Sequence, residues 1–254
     1  MNKVDIFGIQ VENTTLDEVI EDLEDALLNK RKTIVFTPNT EIVMMAKKDE
    51  KLKKLINTAN HVIPDGIGLI YGAKIKGITL KQRVTGYDTS IRLLEIANKY
   101  GLGLYLLGGK DGVSKDAFAN ILKKYPNIRL SGYHHGYFNG AHTGDENSLE
   151  EIKIIEDINR SNPDILFVGF GFPKQEIWID KNKEKLNTTI LIGNGGVIDV
   201  LSGRVNRAPD IFIKLNLEWL YRLIKNPSRI KRQVYLPLFL IQVILDKNSI
   251  CELN

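Results

Sequence analysis

Short apolar runs alternate along this chain with longer stretches in which apolar residues recur at three- and four-residue spacing. Residues 4–7, 33–36, 61–63, 102–107, 128–132, 165–169 and 189–192 form runs of strand length, several of them rich in Val, Ile, Phe and Tyr, which predicts extended structure. Residues 16–28, 88–99, 114–124 and 149–159 repeat apolar positions with a helical period, and Asp, Ser or Thr stands near several of their starts, where such residues cap free backbone N–H groups. Strands that take turns with helices build βαβ units, so the expected fold is α/β, a Rossmann-like, mostly parallel sheet flanked by helices. Residues 134–147, rich in Gly, His, Asn and Asp, break the pattern and predict a long loop or irregular excursion.

Polar residues collect where the runs end. Thr37-Pro38-Asn39 follows the run at 33–36, Pro64-Asp65-Gly66 follows 61–63, and Arg83-Val84-Thr85-Gly86 precedes a helix. Pro and Gly stop each strand, which places these groups at the strand ends, where open α/β sheets bind ligands. Asp65 then reads either as a turn aspartate or as a lone carboxylate able to accept a proton. Two glycine turns, around Gly108-Gly109-Lys110 and Gly195-Gly196, each join a strand to a helix. Their backbone N–H groups face a phosphate, or the glycines only make tight turns. Neither turn has the spacing of a dinucleotide or P-loop fingerprint. Asp199 adds a carboxylate suited to ribose hydroxyls. Lys174 and Gln175, next to Pro173, sit at a predicted helix start, where they can hold a pyrophosphate or sugar hydroxyl, or simply face solvent.

Charge divides the chain. From residue 203 to 233 there are eight basic residues against two acids, a local charge of +6, whereas the whole protein carries +4. Apolar residues are woven through that segment and continue into residues 234–245, a run too short for a helix to cross a bilayer. The expected organisation is an α/β catalytic domain over residues 1–202 and a basic amphipathic helical appendage over 203–254. The appendage suits a membrane surface, or a helix packed on its parent domain with its charges solvated. Basic residues beside so apolar a stretch disfavour a nucleic-acid footprint. With 254 residues, 43% hydrophobic and 26% charged, the chain has the composition of a soluble globular protein. Its single cysteine, Cys251, excludes an internal disulfide, and its four histidines show no zinc spacing. The N-terminal residues lack the features of a secretory signal, so a cytoplasmic location is expected.

The motifs Thr37-Pro-Asn-Thr-Glu41, Pro64-Asp-Gly-Ile-Gly68, Arg83-Val-Thr-Gly-Tyr-Asp88, Gly108-Gly-Lys110, Phe172-Pro-Lys-Gln-Glu176, Gly195-Gly-Val-Ile-Asp199, Arg207-Ala-Pro209 and Leu217-Glu-Trp-Leu-Tyr-Arg222, in that order, resemble the motif series of the WecG/TagA/CpsF family of glycosyltransferases. The resemblance implies transfer of an N-acetylmannosamine-type sugar from a UDP-sugar donor to an undecaprenyl-diphosphate-linked GlcNAc acceptor, at the inner face of the membrane, as a peripheral protein. It implies Asp65 as the base, Thr37 and Asn39 beside it, and Gln175 on the donor side. No Asp-x-Asp occurs in the chain, and the family is regarded as metal-independent, so neither a metal nor another cofactor is expected. Arg83, with Arg222, Arg229 and Arg232 from the appendage, is then expected to meet the charge of the leaving diphosphate. The donor sugar, a mannosaminuronic acid included, stays open, and so does assembly as a homo-oligomer.

Overall fold

The computed structural model describes residues 2–253. Its strands are β1 (Lys3–Ile6), β2 (Ile9–Glu12), β3 (Thr33–Phe36), β4 (His61–Val62), β5 (Gly103–Gly108), β6 (Arg129–His134), β7 (Ile165–Gly169), β8 (Ile190–Gly193) and β9 (Ile250–Leu253). Six of them form a parallel sheet in the order β4-β3-β8-β7-β5-β6, and β2-β1-β9 form a small antiparallel sheet. The α/β reading of the sequence holds, with β2 and β9 added. Both are short; β2 pairs with its chain neighbour β1, whereas β9 meets β1 only in three dimensions.

Strands β3, β5, β7 and β8 are buried throughout except at Gly169, which is why they read as continuous apolar runs. Their side chains alternate between two cores. Tyr105, Leu107, Leu166, Val168 and Leu191 face one, and Leu104, Leu106, Phe167, Ile190 and Ile192 face the other. The helices that follow β3, β7 and β6 bury Val43, Trp178 and Ile158 on the first side. Those that follow β5 and β8 bury Ala117 and Ile198 on the second. From β3 to β6, neighbouring strands therefore send their chains to opposite faces, and this divergence opens crevices at the carboxyl ends of the strands.

Local chemistry sets the helix boundaries. Thr15 and Glu18 form a capping box on the helix Leu16–Leu28. Thr85 caps Gly86–Tyr100, which ends at Gly101 with φ 64°, a conformation that glycine adopts without a Cβ clash. The two sheets are joined by His61, whose ring bonds Glu12 of β2 at 3.0 Å and Asp22 of the first helix at 2.7 Å.

The segment expected as one helical appendage has two pieces with different packing. The helices Asp210–Lys214, Glu218–Lys225 and Ile230–Gln233 have no buried residue. The helix Tyr235–Leu245 instead places Phe239 and Val243 in the first core. Phe239 meets Phe7 edge-on at 5.8 Å. It lies so close to Gly72 that a Cβ there would stand 2.6 Å from the ring. β9 then pairs with β1. The last helix and strand are built into the body because their apolar residues complete its core, a contact that no local sequence pattern reveals.

Replacing Phe239 with Ala should cost about 3–5 kcal/mol in urea unfolding, whereas the exposed Ile224→Ala should change stability by about 0.5 kcal/mol or less. Equal small effects would show that the final helix does not belong to the core.

Candidate active site

Three of the predicted strand-end motifs lie side by side. The Asp65 N–H donates to the Pro38 carbonyl at 3.1 Å, and the Val84 N–H donates to the Pro64 carbonyl at 3.0 Å. Gly66 permits this approach, since a Cβ on it would stand 2.9 Å from that of Asn39. Asp65 is partly exposed at the surface of the crevice. Protein nevertheless encloses its carboxyl, and burial pushes its pKa up to about 6. Arg83 and Arg222 pull it down, Glu218 adds to the rise, and the Gly86 backbone N–H at the start of Gly86–Tyr100 favours the charged form. A carboxylate poised there is a stronger proton acceptor than an ordinary aspartate and is still ionised at neutral pH.

Thr37 and Asn39 flank Pro38, the backbone partner of Asp65, each with a structural bond of its own. The Thr37 hydroxyl is buried and donates to the Gly193 carbonyl at 3.4 Å. Asn39 caps the helix Thr40–Ala46, its Oδ1 accepting from the Ile42 N–H at 3.1 Å.

The expected arginines form a cluster. Glu218 accepts from Arg83 at 3.0 Å and from Arg222 at 2.7 Å. Burial, with the positive charges of Arg222 and Arg232, lowers the pKa of Arg229, and its buried Nε has no hydrogen-bond partner. Arg232 reaches Glu41 at 3.4 Å. Like charges held together beside an unsatisfied donor make a place for a strongly anionic ligand.

The donor-side candidates divide. Gln175 is buried, and its Oε1 accepts from the Gly171 and Gly195 N–H groups at 3.1 and 3.0 Å while its Nε2 donates to Glu176 at 2.9 Å. Its amide pins the loops after β7 and β8 together. Lys174 is exposed in the first turn of Lys174–Asn182. The Gly109 N–H is committed to the Gly169 carbonyl at 3.2 Å, and a Cβ on Gly108 would stand 2.6 Å from that same oxygen. These two glycines therefore let strand ends meet, and the reading of Gly109 as a free phosphate donor is corrected. Asp199 lies in the short helix Val197–Leu201, its pKa raised by burial against the pull of Arg204 and Lys110. The predicted loop at 134–147 is tied down. Its Phe138 and His142 are buried, and the Ala141 and Asn147 N–H groups donate to the Glu151 carboxylate at 2.9 and 2.8 Å.

The sequence pattern of the Glycosyl transferase WecG/TagA/CpsF family matches residues 4–250. The chain belongs to that family. It is 35% identical over 245 residues to the N-acetylglucosaminyldiphosphoundecaprenol N-acetyl-beta-D-mannosaminyltransferase of Bacillus subtilis (strain 168), covering 96% of this chain and 92% of the relative. It is 34% identical over 250 residues to the protein of the same name in Staphylococcus aureus (strain MW2), covering 98% and 94%.

For a WecG/TagA/CpsF member, the residues that the sequence reading left without a role are acids. Glu218 bridges two arginines, Glu41 meets a third, and Glu176 is a buried carboxyl pushed up to about 7 by burial, with one oxygen unpartnered. Each lies inside a motif quoted above. An acid in so basic a segment as 203–233 was the available sign for Glu218.

With Asp65 as the expected base, which must be ionised to accept a proton, the turnover of the protein should fall as pH drops through about 6 and should level off well above it. A turnover–pH profile with its acid limb near the ordinary aspartate value of about 4 would show that the enclosed carboxylate is not the base.

Proposed function

We propose that this glycosyl transferase moves N-acetylmannosamine from UDP-N-acetylmannosamine to the N-acetylglucosamine of an undecaprenyl-diphosphate-linked acceptor, with inversion at the transferred carbon. The reading is supported by the names of the relatives. The single observation that carries it is the placing of Arg83 and Arg222 beside the enclosed Asp65 carboxylate, with both guanidinium groups meeting on Glu218. In the step, the acceptor hydroxyl loses its proton to Asp65 as its oxygen bonds the sugar carbon. The bond from that carbon to the diphosphate oxygen breaks, and UDP leaves with the electron pair. The charge that gathers on the diphosphate is met by the arginines, so no divalent ion is required. Thr37 and the free end of Asn39 would orient the reacting sugars beside Asp65.

With UDP-N-acetylmannosamine and a synthetic lipid-linked acceptor, the protein should form the disaccharide and should keep its activity in EDTA. Asp65→Asn should lower turnover by about 10² to 10⁴-fold with UDP binding near that of the parent. Loss of activity in EDTA that magnesium or manganese restores, or turnover of Asp65→Asn within threefold of the parent, would overturn this reading.

The tail explains how a protein reaches an acceptor held in a membrane. Among the described residues no helix is long and apolar enough to cross a membrane. Ile211, Leu215, Ile224 and Ile230 are nevertheless exposed within the segment of local charge +6. Leu238, Ile241 and Leu245 are exposed on the face of Tyr235–Leu245 opposite Phe239 and Val243. This surface fits an anionic bilayer, its basic residues drawn to lipid charge and its apolar residues to the acyl boundary. Replacing Ile241 and Leu245 together with Ser should weaken sedimentation with anionic vesicles about tenfold or more, and salt should weaken the parent's binding. Unchanged binding would place the membrane contact elsewhere.

A further inference from the structure

The transfer chemistry leaves Glu218 without a role, yet its carboxylate lies between two guanidinium groups. One oxygen, Oε2, accepts from Arg83 and the other, Oε1, from Arg222. The side chains of Arg83 and Glu218 are only 14% and 12% exposed. The helix Glu218–Lys225 has no buried residue of its own to hold it in position. Among the described residues, the Arg83–Glu218 pair is the ion pair that joins this helix to the body of the protein. Two oxygens of one anion, each taking a different guanidinium, is also how a diphosphate would engage these arginines.

We infer that the Glu218 carboxylate is an internal stand-in for the substrate's diphosphate: in the free protein it bridges Arg83 and Arg222 and docks the tail helix, and a nucleoside diphosphate displaces it from both. The inference rests on the functional reading above, which assigns these arginines to a diphosphate. The stand-in keeps two guanidinium groups from facing each other unpaired when the site is empty, and it holds Arg222 where an incoming diphosphate meets it. It also makes product release easier, because the carboxylate returns to the arginines as UDP leaves. The cost falls on affinity, since every diphosphate that binds must first break this ion pair. Glu218 acts through the arginines and is a positioning residue.

The test is calorimetric titration of the full-length protein and of Glu218→Gln, an uncharged side chain of the same size, with UDP and separately with inorganic pyrophosphate at one fixed salt concentration. If the carboxylate competes with the ligand, the variant should bind both probes about 3- to 10-fold tighter. In the transfer assay, its KM for the donor should fall while kcat does not rise. Weaker or unchanged binding of both probes overturns the inference and makes Glu218 a tether only. A gain with UDP that is absent with pyrophosphate also overturns it, because the competition is then not at the phosphates. If the parent itself binds neither probe, the functional reading falls, and this inference with it. Glu218→Asp, which keeps the charge but shortens the reach, should lie between parent and Gln variant, and it serves as the test should Glu218→Gln fail to fold.

Discussion

Parallel pairing sends every strand of the six-stranded sheet out of the same edge, and the rest of this molecule is arranged around that edge. The register aligns Gly108 with Gly169, and sets Gly193 beside both Val168 and Phe36, so four neighbouring strands stop at nearly one level. Beyond them the chain needs small residues and internal hydrogen bonds, because loops that leave for opposite faces still have to pass close to one another. The Gln175 amide meets this need for the loops after β7 and β8. The Asp65–Pro38 and Val84–Pro64 backbone bonds meet it on the side of β3 and β4.

Within that frame the site is built from charges held under tension. Burial works against ionised Asp65, and the nearby arginines and a helix N-terminus work for it. The arginines in turn repel one another, and Glu218 and Glu41 pair with them to relieve the strain. Such an arrangement is poorer in stability than a neutral one, and it is suited to a step that moves a proton one way and negative charge the other.

The segment after residue 203 does two jobs with one stretch of chain. Its first helices bury nothing and reach the site through charge, so their place depends on Arg83 and Glu218. Its last helix is anchored by Phe239 and Val243 and presents Leu238, Ile241 and Leu245 outward. A tail anchored at its far end and held by ion pairs at its middle can stay close to the site while that apolar face points outward.

The sequence by itself determined the fold class and which motifs meet at the ends of the strands. Buried parallel strands need uninterrupted apolar runs and helices need a period near 3.6, and both patterns are local enough to be seen in the chain. The ordered motifs likewise singled out Asp65, Arg83 and Arg222, since each motif is a short run of neighbours, and Arg229 and Arg232 came from the basic excess of the tail. Tertiary structure alone decided who touches whom. It tied the Gln175 amide to the loops after β7 and β8, and it made Gly108 and Gly109 points of close approach between strand ends. It also drew residues 235–253 into the core and set Glu218 between two arginines. The physical reason is the same in each case. A side chain's role depends on which distant groups satisfy its hydrogen bonds, its charge or its apolar surface, and those partners lie far away in the chain, 135 residues in the case of Arg83 and Glu218.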